Sequence, residues 1–353
     1  MDTAESGTYD PFAPGRFRVG VRTFEAHDAG RDRTFPAEVW YPADGFPAAG
    51  EASAEVRGAT PAPGAHPLVV FSHFSFGGRR SATFLTRHLA GHGYVVAAVD
   101  HSELLAPELA PAPDAIPAQR AARIDAIIAS RVPDLRFLLG YLLAGTAAGQ
   151  LGGLAIDASR IGVAGHSFGG WSALALPEHE PLVGAVVALA PGGSSHPAPG
   201  TLPLTLAFGW ERAVPVLILA GDCDVPIPLE AVQDVYARAP QPRQMFVLRR
   251  ADHEHFADDV VANHEKVRSM TFSGDAAWMP AAMLPAAELC GEEESHAFTR
   301  GLALAHLDTV LRADPAAAAF LGRRAEDELR ARAIDAYEYQ PGEAGAVAPQ
   351  ASQ

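Results

Sequence analysis

Residues 160–170, Arg160-Ile161-Gly162-Val163-Ala164-Gly165-His166-Ser167-Phe168-Gly169-Gly170, constrain this chain more than any other stretch. They read as an apolar strand, a very sharp turn and the start of a helix. Gly165-His166-Ser167-Phe168-Gly169 fits G-x-S-x-G, the pattern that sets a serine on a strained strand-to-helix turn. Side chains on the flanking positions would clash in such a turn, which explains the glycines. Ser167 then stands at the tip with a helix N-terminus behind it. The N–H of Phe168 points at negative charge developing on a substrate oxygen. The competing reading is a Gly-rich turn with an idle serine, and the partners found further along the chain disfavour it.

The rest of the chain supplies a frame for that turn. Arg18-Val19-Gly20-Val21-Arg22-Thr23-Phe24 alternates and predicts a strand, and residues 35–41 predict its hairpin partner across a turn at 28–32. Residues 42–66, rich in Ala, Gly and Pro, read as a surface loop. Leu68-Val69-Val70-Phe71 and Tyr94-Val95-Val96-Ala97-Ala98-Val99 are continuous apolar runs, the mark of strands buried on both faces of a parallel sheet. Residues 161–164, 182–189, 214–220 and 245–248 continue that series. Helices are predicted at 81–91, 119–143 with a break near Pro133, 229–238, 296–311 and 325–337. The proline-rich stretch 102–117 reads as an irregular excursion, and 190–204 as a loop bordering the site. Strands alternating with helices give a doubly wound, mostly parallel sheet with helices on both faces. Residues 1–17 form an irregular lead-in, 18–339 a single α/β domain, and 340–353 a disordered tail.

Composition narrows the partners. Lys and Arg number 27 against 42 Asp and Glu, a net charge of −15, so the surface repels phosphate backbones and nucleic acid is not a partner. Residues 137–156 carry no charge, but Gly140, Gly145, Gly149, Gly152 and Gly153 interrupt them. They read as a buried helix end running into a loop rather than a transmembrane segment. The acidic N-terminus shows no signal peptide, so the expected compartment is cytoplasmic, with Cys223 and Cys290 as reduced thiols.

A serine hydroxyl needs a histidine base, and the histidine needs an acid to fix its tautomer. After the apolar run 216–220 comes Gly221-Asp222-Cys223-Asp224, and either aspartate can serve. After the run 245–248 come His253 and His255. His253, the first after the strand, is favoured, and His255 reads as a partly exposed loop histidine. The acids and histidines at 252–264 match neither H-E-x-x-H nor H-x-H-x-D-H, so no metal is expected. A second oxyanion donor is expected from the loop after Phe71, with the Ser75 N–H as candidate and His73 supporting the loop.

With those pieces in place, the chain resembles the platelet-activating-factor acetylhydrolase-like branch of the α/β-hydrolases, beside the dienelactone hydrolases and cutinase-like polyester hydrolases. The resemblance rests on residues 69–73, 94–101, Arg131-Val132-Pro133-Asp134, 160–170, Gly221-Asp222-Cys223-Asp224-Val225-Pro226 and 253–258. It implies the α/β-hydrolase fold, a triad of Ser167, Asp224 and His253, and oxyanion amides at Ser75 and Phe168. The nucleophilic cysteine of dienelactone hydrolases proper is replaced by Ser167. The family's glycine after Phe-Ser-His is Phe74 here, a residue that resists positive φ. This loop is therefore expected to follow a different path, with the Phe74 ring turned into the substrate pocket.

The function implied is a serine carboxylic-ester hydrolase acting without a cofactor on a small-molecule or lipid-like ester. An acyltransferase with the same triad and a non-catalytic α/β-hydrolase-like binding protein are the alternatives. The acyl length, the alcohol moiety and the oligomeric state are not written in the sequence.

Overall fold

The computed structural model describes residues 9–45, 54–112, 114–145 and 148–342. Only 9–17 of the lead-in and 340–342 of the expected tail lie among them. β1 (Arg18–Asp28) and β2 (Arg33–Ala43) form the expected antiparallel hairpin. Part of the stretch read as a loop is instead β3 (Glu55–Arg57), parallel to β1, followed by a bridge between Ala43 and Pro61. It covers the outer edge of β1, which would otherwise present unpaired backbone groups.

β4 (Ala65–Ser72), β5 (Val95–Val99), β6 (Ala155–His166), β7 (Val183–Leu189), β8 (Val216–Gly221) and β9 (Arg243–Leu248) are all parallel, and β10 (Ala336–Glu338) closes the far edge antiparallel to β9. The spatial order is β10-β9-β8-β7-β6-β4-β5-β2-β1-β3. Among the described residues, these helices cover the sheet: α1 (Thr83–Gly91), then, after the short α2 (Ser102–Leu105), α3 (Pro117–Leu143); after the short α4 (Ala148–Leu151), α5 (Phe168–Ala175) and α6 (Leu229–Arg238); and, after α7 (Val260–Ser269) and α8 (Met279–Ala282), α9 (Glu292–Leu311). Alternate strand residues serve the two faces. Val69, Phe71, Val96, Leu189 and Leu217 pack with α1 and α9. Leu68, Val70, Val163, Val186 and Ile218 pack with α3, α5 and α6. Covering both faces is why these strands read as unbroken apolar runs.

Two further expectations fail for identifiable reasons. The break at Pro133 does not occur, and α3 runs through it. A mid-helix proline costs about 3 kcal/mol. Beyond it, however, Leu135, Leu138, Leu139 and Leu142 are all buried, each worth about 1.5–3 kcal/mol over exposure. The helix expected at 325–337 is shorter. After α10 (Pro315–Arg323), α11 (Ala325–Ala331) stops, Ala333 turns with φ 58°, and β10 pairs along the exposed edge of β9. Among the described residues, no helix is long and apolar enough to cross a membrane.

The strand order reverses at β4. The chain leaves β4 for β5 on one side and later returns to place β6 on the other. Loops leaving the carboxyl ends of β4 and β6 therefore diverge and open a crevice, where ligands gather in such sheets. The elbow is locked into this point by backbone contact. A Cβ on Gly165 would lie 2.2 Å from the Gly169 carbonyl oxygen, and one on Gly169 would lie 2.0 Å from that of Ser72. Gly140, exposed on α3, has nothing within 4 Å of its Cβ position. Urea unfolding should separate the two sites. Gly140→Ala is expected to gain about 0.5–1 kcal/mol from helix propensity. Gly169→Ala is expected to lose at least the ~1–3 kcal/mol of ordinary overpacking. Equal midpoints for the two variants would contradict this packing.

Candidate active site

Ser167 sits where β6 ends and α5 begins, with φ 60° and ψ −117°. A non-glycine residue holds that conformation only when its surroundings force it. Its N–H donates to the Leu189 carbonyl at 2.8 Å, and its own carbonyl accepts from Trp171 at 3.0 Å and Gly192 at 3.3 Å. Phe168 opens α5, so its N–H has no partner within the helix. Ser167 and Phe168 share the wall of a cavity of about 610 Å³ with Phe74, Ser75 and His253. The loop at 190–204 borders it as expected, through residues such as Gly193, Leu202 and Leu204. Phe76, Phe272, Met279 and Met283 add to an apolar lining.

The loops after β8 and β9 bring the acid and the base together. His253 Nδ1 lies 2.7 Å from Asp224 Oδ2, and the other carboxylate oxygen accepts from the Ile227 N–H at 2.7 Å. Both residues are buried. Burial pushes the Asp224 carboxyl up, against the opposing pull of His253. Burial alone would depress His253, but the Asp224 carboxylate overrides it and raises the imidazole to about 9. The His253 ring packs at 4.7 Å against that of His166, the residue directly before Ser167. Among the described residues, Ser167 Oγ makes no hydrogen bond, so serine and histidine meet in one cavity wall without being joined.

The rival candidates do other work. Asp222 Oδ1 accepts from the Arg250 N–H at 2.6 Å and from the Cys223 thiol at 3.3 Å, tying the β8 loop to the β9 loop. Burial, then the neighbouring Asp222, push the Cys223 thiol up to about 12, and both cysteines are free. His255 is not a partly exposed loop histidine. It is buried, with Nδ1 2.6 Å from Asp252 Oδ1 and Nε2 donating to the Cys290 carbonyl at 3.0 Å. Its burial opposes protonation, but these partners prevail and raise it to about 10. Asp252 also holds His264 through its second oxygen. Asp258 caps α1, accepting from the N–H groups of Thr83 at 2.7 Å and Phe84 at 3.0 Å. The cluster at 252–264 therefore fastens loops to helices.

Behind the loop after β4 lies a polar network whose parts the sequence presented only as matching motifs. Arg131 on α3 is wholly buried. Its Nη1 donates to the His73 carbonyl at 2.6 Å and its Nη2 to that of Phe74 at 3.2 Å. Glu103 pairs with the same guanidinium, accepting from Nε at 2.9 Å. His73 supports the loop as expected: Nδ1 donates to the Phe74 carbonyl at 2.7 Å, and Nε2 accepts from the His101 N–H at 3.2 Å. Burial, then the nearby Arg131, hold its pKa well below the usual histidine value. Asp134 takes the Ser102 N–H at 2.8 Å and His101 Nδ1 at 3.2 Å, and His101 Nε2 accepts from Ser72 Oγ at 2.8 Å. The left-handed residue of the loop is Phe76, with φ 55°, and not Phe74. The Phe74 ring lines the cavity and meets His166 edge-on at 5.6 Å.

Comparison with known proteins agrees with this architecture. Residues 55–266, more than half of the chain, match the model of the dienelactone hydrolase family. The chain belongs to that family. Among curated relatives of this dienelactone hydrolase family member is cutinase est1 of Thermobifida alba, 29% identical over 186 residues, which cover 52% of this chain and 51% of that protein. The chain thus spans about half the length of that relative. Among solved structures, a ferulic acid esterase from Streptomyces cinnamoneus superposes with a TM-score of 0.64 at 26% identity, over 95% of this chain and 100% of that one.

The His253–Asp224 contact has a direct readout. A raised pKa means that the proton is held to higher pH, so the ring is expected to stay protonated through neutrality. NMR titration should place its midpoint near 9. In Asp224→Asn the burial remains while its main counterweight is gone, so the midpoint is expected to fall to or below the ordinary ~6.5. An unchanged midpoint in Asp224→Asn would show that the carboxylate does not set it.

Proposed function

We propose that this protein is a serine carboxylic-ester hydrolase in which Ser167 is the nucleophile, His253 the base and Asp224 the orienting acid. The observation that carries the reading is the 2.7 Å His253–Asp224 contact in the wall of the same cavity that holds a serine on a left-handed turn. Asp224 accepts from Nδ1–H, which leaves Nε2 free to take a proton in the neutral form of the ring, the form that gains ground as pH rises toward about 9. Ser167 Oγ attacks the ester carbonyl as its proton passes to His253. The carbonyl oxygen gains charge and is met by the N–H groups of Phe168 and Ser75, fixed before the reaction begins. His253 returns the proton to the departing alkoxide, leaving an acyl group on Ser167. Water then repeats the sequence and releases the acid. No step calls for a cofactor.

The cavity supports an apolar substrate. Phe74, Phe76, Phe168, Met279 and Met283 offer contact area and few hydrogen-bonding groups, which suits an ester with an aromatic or aliphatic body. The names borne by the relatives, a cutinase and a ferulic acid esterase, point the same way.

Ser167→Ala is expected to lower kcat on p-nitrophenyl esters by about 10⁴-fold or more without moving the unfolding midpoint. Asp224→Asn is expected to lose about 10⁴-fold, since the wrong tautomer is then held. Asp222→Asn, whose side-chain oxygen can still accept from the Arg250 N–H and hold the two loops together, is expected to stay within a few-fold of wild type. Wild-type turnover by a folded Ser167→Ala protein would refute the assignment.

A further inference from the structure

Arg131 has no place among the reacting groups, yet it touches both segments that would receive the substrate oxygen, one through backbone carbonyls and the other through the Phe168 ring. A fully buried guanidinium is expensive to desolvate, and replacing such an ion pair with apolar residues is often neutral or stabilising. Its contacts are specific. Nη1 and Nη2 take the carbonyls of His73 and Phe74, the two residues immediately before Ser75. The Phe74 carbonyl is held by two further donors, His73 Nδ1 at 2.7 Å and the Gly77 N–H at 3.0 Å. In a trans peptide the C=O and the following N–H point in opposite directions. Fastening the Phe74 oxygen to Arg131 therefore turns the Ser75 N–H away from the guanidinium, and Ser75 lines the catalytic cavity. The same guanidinium lies over the Phe168 ring, its Cζ 4.1 Å from the ring centroid. Phe168 carries the other amide. Glu103 holds Arg131 in place through Nε and accepts from the Phe76 N–H at 3.4 Å, bracing the far end of the loop.

We propose that Arg131 is the positioning residue of the oxyanion hole: it aims the Ser75 amide and fixes its spacing from the Phe168 amide. This rests on the esterase reading above. The planar fork matters, because one group must meet two carbonyls, a carboxylate and an aromatic face at once. A lysine ammonium keeps the charge opposite Glu103 but cannot span those contacts.

The test compares an aryl ester with its thionoester, in which sulfur replaces the carbonyl oxygen, for wild type, Arg131→Lys and the charge-balanced double variant Arg131→Met with Glu103→Gln. An oxyanion hole set for oxygen disfavours the larger, weaker-accepting sulfur, so the oxygen-to-sulfur rate ratio reports donor placement. In both variants kcat on the oxygen ester is expected to fall tenfold to a hundredfold, below the ~10²–10³ that outright loss of one donor costs, because the amide is misaimed and not removed. KM is expected to stay within about threefold, and the oxygen-to-sulfur ratio to shrink. A fall in both parameters with an unchanged ratio, in either variant that retains the wild-type unfolding midpoint, would make Arg131 a structural residue only and overturn the proposal. Intact mass of wild type quenched during turnover separates the two levels of the argument. An acyl adduct on Ser167 with an unchanged ratio in the variants overturns the positioning role alone. Wild-type turnover by a folded Ser167→Ala protein overturns both.

Discussion

Backbone packed against backbone at the centre of the sheet is the constraint on which the rest depends. Gly165 meets Gly169, and Gly169 meets the Ser72 carbonyl, at separations that exclude any side chain. This draws the end of β6 and the start of α5 down onto the end of β4. Ser167 is left with no relaxed conformation and takes φ 60°. Because β4 is also where the strand order reverses, the loop carrying Ser75 and the turn carrying Ser167 open onto one crevice. Another close approach, Gly221 beneath the Ala251 carbonyl at 2.3 Å from its Cβ position, brings the β8 and β9 loops together. The aspartate and the histidine meet across that junction. The residues of the proposed triad are thus placed by strand ends.

Around this centre the molecule buries several ionisable side chains in partnered clusters, while the ring nitrogens of His166 are buried without a partner among the described residues. Arg131 with Glu103, Asp134 with His101 and Ser102, and Asp252 with His255 and His264 form three clusters that tie loops to helices. Leaving one member of such a cluster unpaired costs more than the pair itself contributes. Loops fastened in this way hold their amides and side chains in fixed directions, which is what electrostatic stabilisation of a short-lived oxyanion requires.

Much of this was legible in the sequence, because the signals were local. G-x-S-x-G reports its own backbone geometry, and unbroken apolar runs report strands covered on both faces. Asp224 and His253 could be reached because each follows such a run, although choosing Asp224 over Asp222 leaned on family resemblance. What escaped depended on distant partners. Pro133 read as a helix break because the burial of Leu135 to Leu142 against the sheet is invisible along the chain. β10 read as helix because its pairing with β9 joins residues some ninety positions apart. His255 looked exposed because Asp252 and Cys290, which enclose it, carry no local signature. Phe74 drew attention as the misfit in its loop, whereas the left-handed strain fell two residues later on Phe76. Arg131 and Asp134 stood in the sequence as a matching motif with no stated task. Only their meeting with the loop after β4 and with His101 gives them one.

The proposed function centres on Ser167 as a nucleophile made reactive by its turn and by His253. Treatment with diisopropyl fluorophosphate, followed by intact mass and peptide mapping, tests this most directly. One phosphoryl adduct per chain, on Ser167, is expected to appear in step with loss of esterase activity. Full esterase activity in unlabelled protein, or inactivation with the adduct on another residue, would contradict it.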